Sequence, residues 1–348
     1  MPPDAFSRQL PLLAGAAAAG VAAASVAALL RRRPSYDFVG RTVLITGGSR
    51  GLGLVLARAF VARGASVALM ARDPQELARA VENLGPGVPA AGIVGDVRRP
   101  DSCAQTVDEV IARFGRLDVL VNNAGLILSA PLARTGVDDF EALMDVHFWG
   151  TLHMTSAALP HLLARPGGRV ANICSIGGKV AVPHLSAYCA SKFAQAGLSA
   201  VLREELRQHG VTVTTVFPGL MRTGSHVQAR FRGDAEREYQ LFALAAGTPV
   251  LAISAERAAR SIVRAVARGQ ADLTVPASMR LAARANAVAP NLTAALLSKV
   301  NRWLPDGRVL PTRRPRSTAM RGADLPLAPA VRAAIVLGER AANRNNER

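Results

Sequence analysis

The chain predicts an α/β fold: a doubly wound sheet of about seven parallel strands flanked by helices, in one domain with extensions at both ends. Three observations carry this. Short apolar, β-branched runs alternate with longer stretches of helical periodicity. The runs are apolar on both faces, which suits strands covered by helices on either side. The first run ends in a glycine-rich turn that opens directly into a helical stretch.

The elements follow in order. Residues 10–30 carry no charge and are long enough to cross a bilayer as a helix. Arg31, Arg32 and Arg33 follow at once, so residues 1–36 are expected to be a membrane anchor and basic linker, with the next domain left on the cytoplasmic side. An Ala-rich soluble helix or a cleaved signal peptide is the alternative. Residues 37–278 form the expected catalytic domain. Its strands are placed at 42–46, 66–71, 91–95, 119–122, 169–174, 212–217 and 272–275. Helices are placed at 74–84, 102–114 and 186–209, among others. Residues 220–250 interrupt the alternation. Residues 279–348 form a basic C-terminal extension. Within it, 281–304 is an amphipathic stretch ending at Trp303, fit for a membrane surface, for its own domain or for a second subunit. Residues 311–325 are expected to be a linker, and 343–348 disordered.

Composition narrows the function classes. Half of the 348 residues are apolar, enough for one sizeable core. The formal charge is +17, mostly arginine, with clusters near both ends. No nucleic-acid module accompanies that charge and aromatics are few, so no nucleic-acid partner is expected; a membrane surface is the better reading. Three scattered cysteines, Cys103, Cys174 and Cys189, without Cys-x-x-Cys spacing argue against a disulfide framework or a zinc site, and no metal is expected.

Two motifs carry chemistry. The first is Thr46-Gly47-Gly48-Ser49-Arg50-Gly51-Leu52-Gly53, a strand end, a tight turn and a helix start. This arrangement receives a dinucleotide pyrophosphate at a helix N-terminus. The second is Tyr188 and Lys192, four residues apart on one helix face, with Ser175 upstream. An ammonium beside a phenol favours phenolate, and a nearby hydroxyl can hold a carbonyl oxygen. Such a group can pass a proton to or from an alcohol oxygen.

Taken together with Asp96-Val97, Asn122-Asn123-Ala124-Gly125 and Pro218-Gly219, in this order, the chain resembles the short-chain dehydrogenase/reductase family over roughly residues 38–278. The resemblance implies a Rossmann-type sheet and an NAD(P)-dependent oxidoreductase that interconverts a carbonyl and a secondary alcohol. It assigns Tyr188 as acid/base, Lys192 as its modulator and a cofactor contact, and Ser175 as the group that positions the substrate oxygen. It places Thr46, Gly47, Ser49, Arg50, Gly51, Leu52, Gly53, Asp96, Val97, Asn123, Ala124, Gly125, Pro218, Gly219 and Thr223 on the cofactor. It places substrate specificity in residues 220–250 and implies a homo-oligomer.

Arg50 and Arg72 can neutralise a 2′-phosphate, so NADP(H) is expected over NAD(H). Asp73 stands one position later than an NAD-type acidic residue. The family's usual helix asparagine is replaced here by His147, in Asp145-Val146-His147-Phe148-Trp149-Gly150. His147 is expected to support the proton path, with a packed structural replacement as the alternative. The small residues around Ser175 and the apolar insertion suggest a hydrophobic substrate. The competing reading is a catalytically vestigial NADP(H)-binding regulatory or scaffold protein at a membrane.

Overall fold

Residues 42–46 are fully buried, and their β-branched and apolar side chains suit a central strand. They form β1, Thr42–Thr46, and six more strands complete the sheet: β2 Ser66–Ala71, β3 Ala90–Val94, β4 Val119–Asn122, β5 Arg169–Ile173, β6 Thr212–Pro218 and β7 Asp272–Val275. These strands come from a computed structural model, which describes residues 35–248, 252–305 and 319–347. The described residues from 37 onward belong to one compact unit. The strand order is β7-β6-β5-β4-β1-β2-β3, with every pairing parallel. The strand order reverses between β1 and β4, and a ligand crevice opens beyond the carboxyl ends of strands at such a point.

Helices fill the connections: α1 Gly51–Val61, α2 Pro74–Glu82, α3 Pro100–Phe114, α4 Val137–Met144, α5 Gly150–Leu163, α6 Ser186–Arg207, α7 Ala235–Gly247 and α8 Ala255–Arg268. The cluster of Cys103, Val107 and Val110 from α3, Met154, Ala158 and Leu162 from α5, and Leu206 from α6 packs on Leu44, Leu120, Val170 and Val213 of the sheet. Helix α1 packs against α8, whose small buried residues Ala258, Ala259 and Ala265 allow close approach. The expected strands and helices stand within two residues of their places, α3 starting two residues early at Pro100 and α6 ending two residues short of 209. Between α4 and α5 the chain makes one π-helical turn, Asp145–Trp149, which holds His147.

The insertion contributes α7 and short strands. Leu128–Ser129 pairs with Arg230–Phe231, which pairs in turn with Met320–Arg321. The C-terminal extension therefore belongs to the same body. Helices α9 Ala277–Val288 and α10 Pro290–Asn301 follow β7, and α11 Pro329–Ala334 and α12 Val336–Arg344 pack on α7. Ile335 between α11 and α12 is fully buried against Phe231, Tyr239 and Ala243.

Two expectations need correction. The last residues are not disordered: Asn345 and Glu347 are buried, because they hydrogen-bond to the glycine-rich turn and its neighbours. Residues 319–321 are strand-paired rather than linker, while 311–318 lie outside the described residues. The expected anchor at 10–30 also lies outside them, and among the described residues no helix is long and apolar enough to cross a membrane.

Candidate active site

The glycine-rich turn is shaped by two contacts. Gly51 has φ +55°, a conformation that suits glycine. A Cβ on Gly53 would stand 2.1 Å from the Gly47 carbonyl oxygen, so only glycine lets α1 start this close to β1. The first turn of α1 holds no acidic residue of its own, so its positive dipole end suits an anion, while the Gly51 N–H is accepted here by the Asn345 carbonyl at 2.8 Å. Thr46 supports the turn from beneath. Its hydroxyl oxygen accepts from the Asn123 and Ala124 N–H groups, each at 3.0 Å. Asn123 returns the tie, donating to the carbonyls of Thr46 at 3.0 Å and Gly47 at 3.1 Å.

Next along the crevice lie the charges. Ser49 donates to Glu76 at 3.0 Å, and Arg50 pairs with the same carboxylate at 2.6 Å. Arg72 lines the cavity and makes no ion pair among the described residues. Asp73 caps α2, accepting from the N–H groups of Gln75 and Glu76 at 2.8 and 2.9 Å. Those bonds, above all the one from Glu76, hold its carboxyl below the usual range. Asp96 is gripped by Arg98, whose hydrogen bonds keep it ionised.

The serine, tyrosine and lysine of the second motif come together. Ser175, Tyr188 and Lys192 line the same cavity as the glycine-rich turn. Lys192 is buried, and its Nζ donates to the Ile173 carbonyl at 3.1 Å and the Gln195 Oε1 at 2.9 Å. Gln195 in turn donates to Thr151 at 2.9 Å. Burial lowers the amine from 10.5 to about 8. One expectation changes here. The Tyr188 phenol lies above its ordinary value, because desolvation outweighs the hydrogen bond from Ser175. The ammonium is aimed at Ile173 and Gln195 and lies 5.9 Å from the centre of the tyrosine ring.

His147 is fully buried, edge-on to Tyr188 with ring centres 5.6 Å apart. Its Nε2 accepts the Leu126 N–H at 3.0 Å. Its Nδ1 faces the Ser191 hydroxyl at 2.8 Å, which donates to the Tyr188 carbonyl at 2.8 Å. Both nitrogens are therefore committed, the proton sits on Nδ1, and burial holds the ring neutral. The ring braces the Tyr188 backbone and has no nitrogen left for a relay.

Of the expected cofactor residues, Gly47, Ser49, Arg50, Gly51, Leu52, Arg72, Asp96, Val97, Asn123, Ala124, Gly125, Pro218, Gly219 and Thr223 all line this cavity of about 850 Å³. Thr46 and Gly53 do not; they shape the turn from behind. Apolar lining comes from Leu241, Phe242, Ala245 and Ala246 of α7 and from Leu297 and Val300 of α10. All three cysteines are buried and free; the Cys174 thiol donates to the Lys192 carbonyl at 3.1 Å.

The sequence reading missed several supports. Gln195 was findable, since it stands three residues after Lys192 on the same helix face. The buried chain from Asn122 through Asn172 and Ser199 to Thr215, with bonds of 2.9, 2.8 and 2.7 Å, spans three strands and a helix and leaves no local signal. A third group joins residues far apart in sequence: Glu238 on α7 accepts from Ser129 at 2.9 Å and pairs with His184.

Comparisons with known proteins agree with this geometry. A family model described as short chain dehydrogenase matches residues 41–232. A dehydrogenase/reductase SDR family protein 7-like of Anopheles gambiae is 32% identical over 280 residues, covering 78% of this chain and 87% of that one. An 11-beta-hydroxysteroid dehydrogenase A of Sesamum indicum is 36% identical over 255 residues, covering 71% of each. Among solved structures, a short-chain dehydrogenase/reductase of Burkholderia phymatum in complex with NAD shares the fold, with TM-score 0.67, 22% identity and coverage of 74% of this chain and 96% of that one. The glycine-rich turn, the tyrosine–lysine helix and the matched relatives lead to one assignment: this chain belongs to the short-chain dehydrogenase/reductase family and is an NAD(P)-dependent oxidoreductase.

Proposed function

We propose that the protein interconverts a carbonyl and a secondary alcohol on an apolar substrate, with Tyr188 as acid/base and NADP(H) as the preferred dinucleotide. One observation carries this reading: Ser175, Tyr188 and Lys192 open onto the cavity that begins at the glycine-rich turn. The residues fit a dinucleotide. The N-terminus of α1, whose first turn carries no acidic residue of its own, suits its pyrophosphate once the Asn345 carbonyl and the Glu347 carboxylate now against Gly51 move aside. Asn123–Gly125 and Pro218–Gly219 would line the rest, and when bound the dinucleotide supplies or accepts the hydride.

The chain's own residues handle the proton. Burial keeps the Tyr188 phenol protonated, ready to give its proton to an oxygen that becomes an alkoxide. The Ser175 hydroxyl is placed to hold that oxygen, and its own oxygen accepts the Gly177 N–H at 3.1 Å, which fixes its direction. Lys192 keeps its charge at neutral pH and favours the phenolate left behind. His147 positions the Tyr188 backbone through Ser191.

NADP(H) preference rests on Arg50 and Arg72, which line one stretch of the cavity. A 2′-phosphate would have to draw Arg50 from Glu76, whereas Arg72 makes no ion pair among the described residues. An apolar substrate suits the wall of Leu241, Phe242 and Leu297. Helices α9 and α10 support the reading of membrane association. They bury no residue, and Leu281, Leu292 and Trp303 are exposed beside Arg280, Arg284, Lys299 and Arg302. With Leu297 and Val300 on the cavity, these helices can rest on an anionic bilayer on the cytoplasmic side and admit an apolar substrate from it. Pairing between copies would cover the exposed Trp149, Phe193 and Val201.

The test is a panel of apolar ketones and secondary alcohols read by NADPH absorbance. Tyr188→Phe should cut turnover at least about 100-fold and leave NADPH affinity within a small factor. Turnover retained by that variant refutes the role of Tyr188. Equal affinity for NADH and NADPH, unchanged in Arg72→Ala, refutes the dinucleotide preference. An active chain fails the vestigial alternative outright.

A further inference from the structure

We propose that Ser129, His184 and Glu238 form a polar anchor beside the apolar residues that α7 gives to the cavity, and that it binds a hydroxyl the substrate carries away from its reacting carbonyl. This rests on the reaction proposed above. All three residues line the cavity. The Glu238 side chain is 4% exposed and that of His184 6%, so the pair is nearly shut off from bulk water. Both carboxylate oxygens of Glu238 are spoken for, one by the Ser129 hydroxyl at 2.9 Å and one by His184 Nδ1. The carboxylate thus fixes the imidazole's tautomer and direction and leaves Nε2 for a ligand. The backbone around His184 is set for this. His184 has φ +64°, rare for a side-chain-bearing residue, and its carbonyl accepts the Ala130 N–H at 2.8 Å. A buried carboxylate–imidazole pair beside apolar lining discriminates by leaving polar atoms unmatched when the ligand lacks a partner.

The probes are 2-alkanones of graded chain length, each with and without a terminal hydroxyl. Binding to Tyr188→Phe in the presence of NADPH is measured by calorimetry, and turnover is measured on the unmodified protein. At the matching length the hydroxylated ketone should bind about tenfold tighter than its parent. His184→Leu and Glu238→Gln should each erase that ratio. The anchor is refuted if no length shows a preference, or if both variants weaken the two ketones equally, which is the mark of a folding role. The binding ratio decides the anchor and turnover decides the reaction, so one can fail without the other.

A separate inference comes from residues 344–347. The Asn345 carbonyl accepts the Gly51 N–H at 2.8 Å. Asn346 donates to the Ser49 carbonyl at 2.9 Å and accepts from Arg79 at 3.1 Å. Arg58 donates to the Asn345 side chain at 3.1 Å, and Gln228 to the Glu347 carbonyl at 2.7 Å. Glu347 lines the cavity, its Oε2 3.7 Å from the Arg50 Nε and without a hydrogen-bond partner. A methyl on Gly51 would meet its Oε1, so the carboxylate lies directly against the start of α1. We infer that this segment is an internal occupant of the dinucleotide's phosphate site, and that Glu347 helps to set dinucleotide affinity by competing for the Gly51 end of α1 and for Arg50. Burial raises the Glu347 carboxyl to about 7, against the opposing pull of Arg50.

NADPH affinity is measured by fluorescence on the full chain carrying Asn345→Ala, Asn346→Ala and Glu347→Ala together, and on Glu347→Gln alone. The triple variant should bind NADPH about tenfold more tightly, and Glu347→Gln should shift the same way. On the unmodified protein, NADPH should speed tryptic cleavage after Arg344 as the segment is displaced. Unchanged or weaker NADPH binding in both variants, or protection of that bond by NADPH, overturns the competition and makes the segment a flap that closes over the dinucleotide.

Discussion

Thr46→Val tests the join between the glycine-rich turn and the strand beside it. Thr46 is buried, and its hydroxyl oxygen accepts two backbone N–H groups, from Asn123 and Ala124, at 3.0 Å each. Valine has the same shape, so the change removes acceptor capacity with little effect on packing. Each orphaned donor costs about 1–3 kcal/mol, and two of them about 2–4 kcal/mol when partial relaxation is allowed. Thr46→Ser keeps the oxygen and loses a methyl, a loss of about 1 kcal/mol. Urea unfolding, compared at constant slope, should therefore rank unmodified protein above the serine variant and the serine variant above the valine variant. NADPH affinity should fall in the valine variant, because Ala124 lies against Gly47, with its Cα 2.9 Å from where a Gly47 Cβ would be. The reasoning fails if the valine variant lies within about 1 kcal/mol of the unmodified protein, or if serine is as damaging as valine.

Four further outcomes are expected. Gly53→Ala should destabilise the protein and abolish NADPH binding in a titration, since the added carbon would stand 2.1 Å from the Gly47 carbonyl oxygen; near-normal binding would show that the turn can yield. The Lys192 amine is charged below about 8 and neutral above it, so NADPH affinity of the free enzyme should weaken as pH rises through about 8, a limb that Lys192→Met should flatten. By linkage, burying that ammonium costs stability below about 8, and the cost fades as pH rises toward 10.5, which pH-dependent unfolding can read. His147→Ala should lose stability and turnover together without moving the pH profile, because both ring nitrogens serve Leu126 and Ser191; a shifted limb would restore the relay reading.

Where local pattern meets local geometry, the sequence reading holds closely. Buried parallel strands announce themselves as apolar runs, and four-residue spacing puts Tyr188 and Lys192 on one face of α6. The reading of His147 shows the limit. Its position on the chain suggested a proton path, yet its function depends on which groups reach its nitrogens, and those come from residue 126 and from α6. Arg50 shows it again. Its charge was plain, but its partners Glu76 and Glu347 lie 26 and 297 positions away.

The linear chain by itself determined the fold, the glycine-rich turn and the pairing of Tyr188 with Lys192 on one helix face, because periodicity, turn chemistry and helix-face spacing act within a few residues. Tertiary structure alone decided the protonation of Tyr188 and Lys192, the bracing role of His147, the Ser129–His184–Glu238 cluster and the burial of Asn345–Glu347. Desolvation and hydrogen bonding depend on what folding brings near, and residues scores of positions apart carry no mark of one another until the sheet and its helices have closed around them.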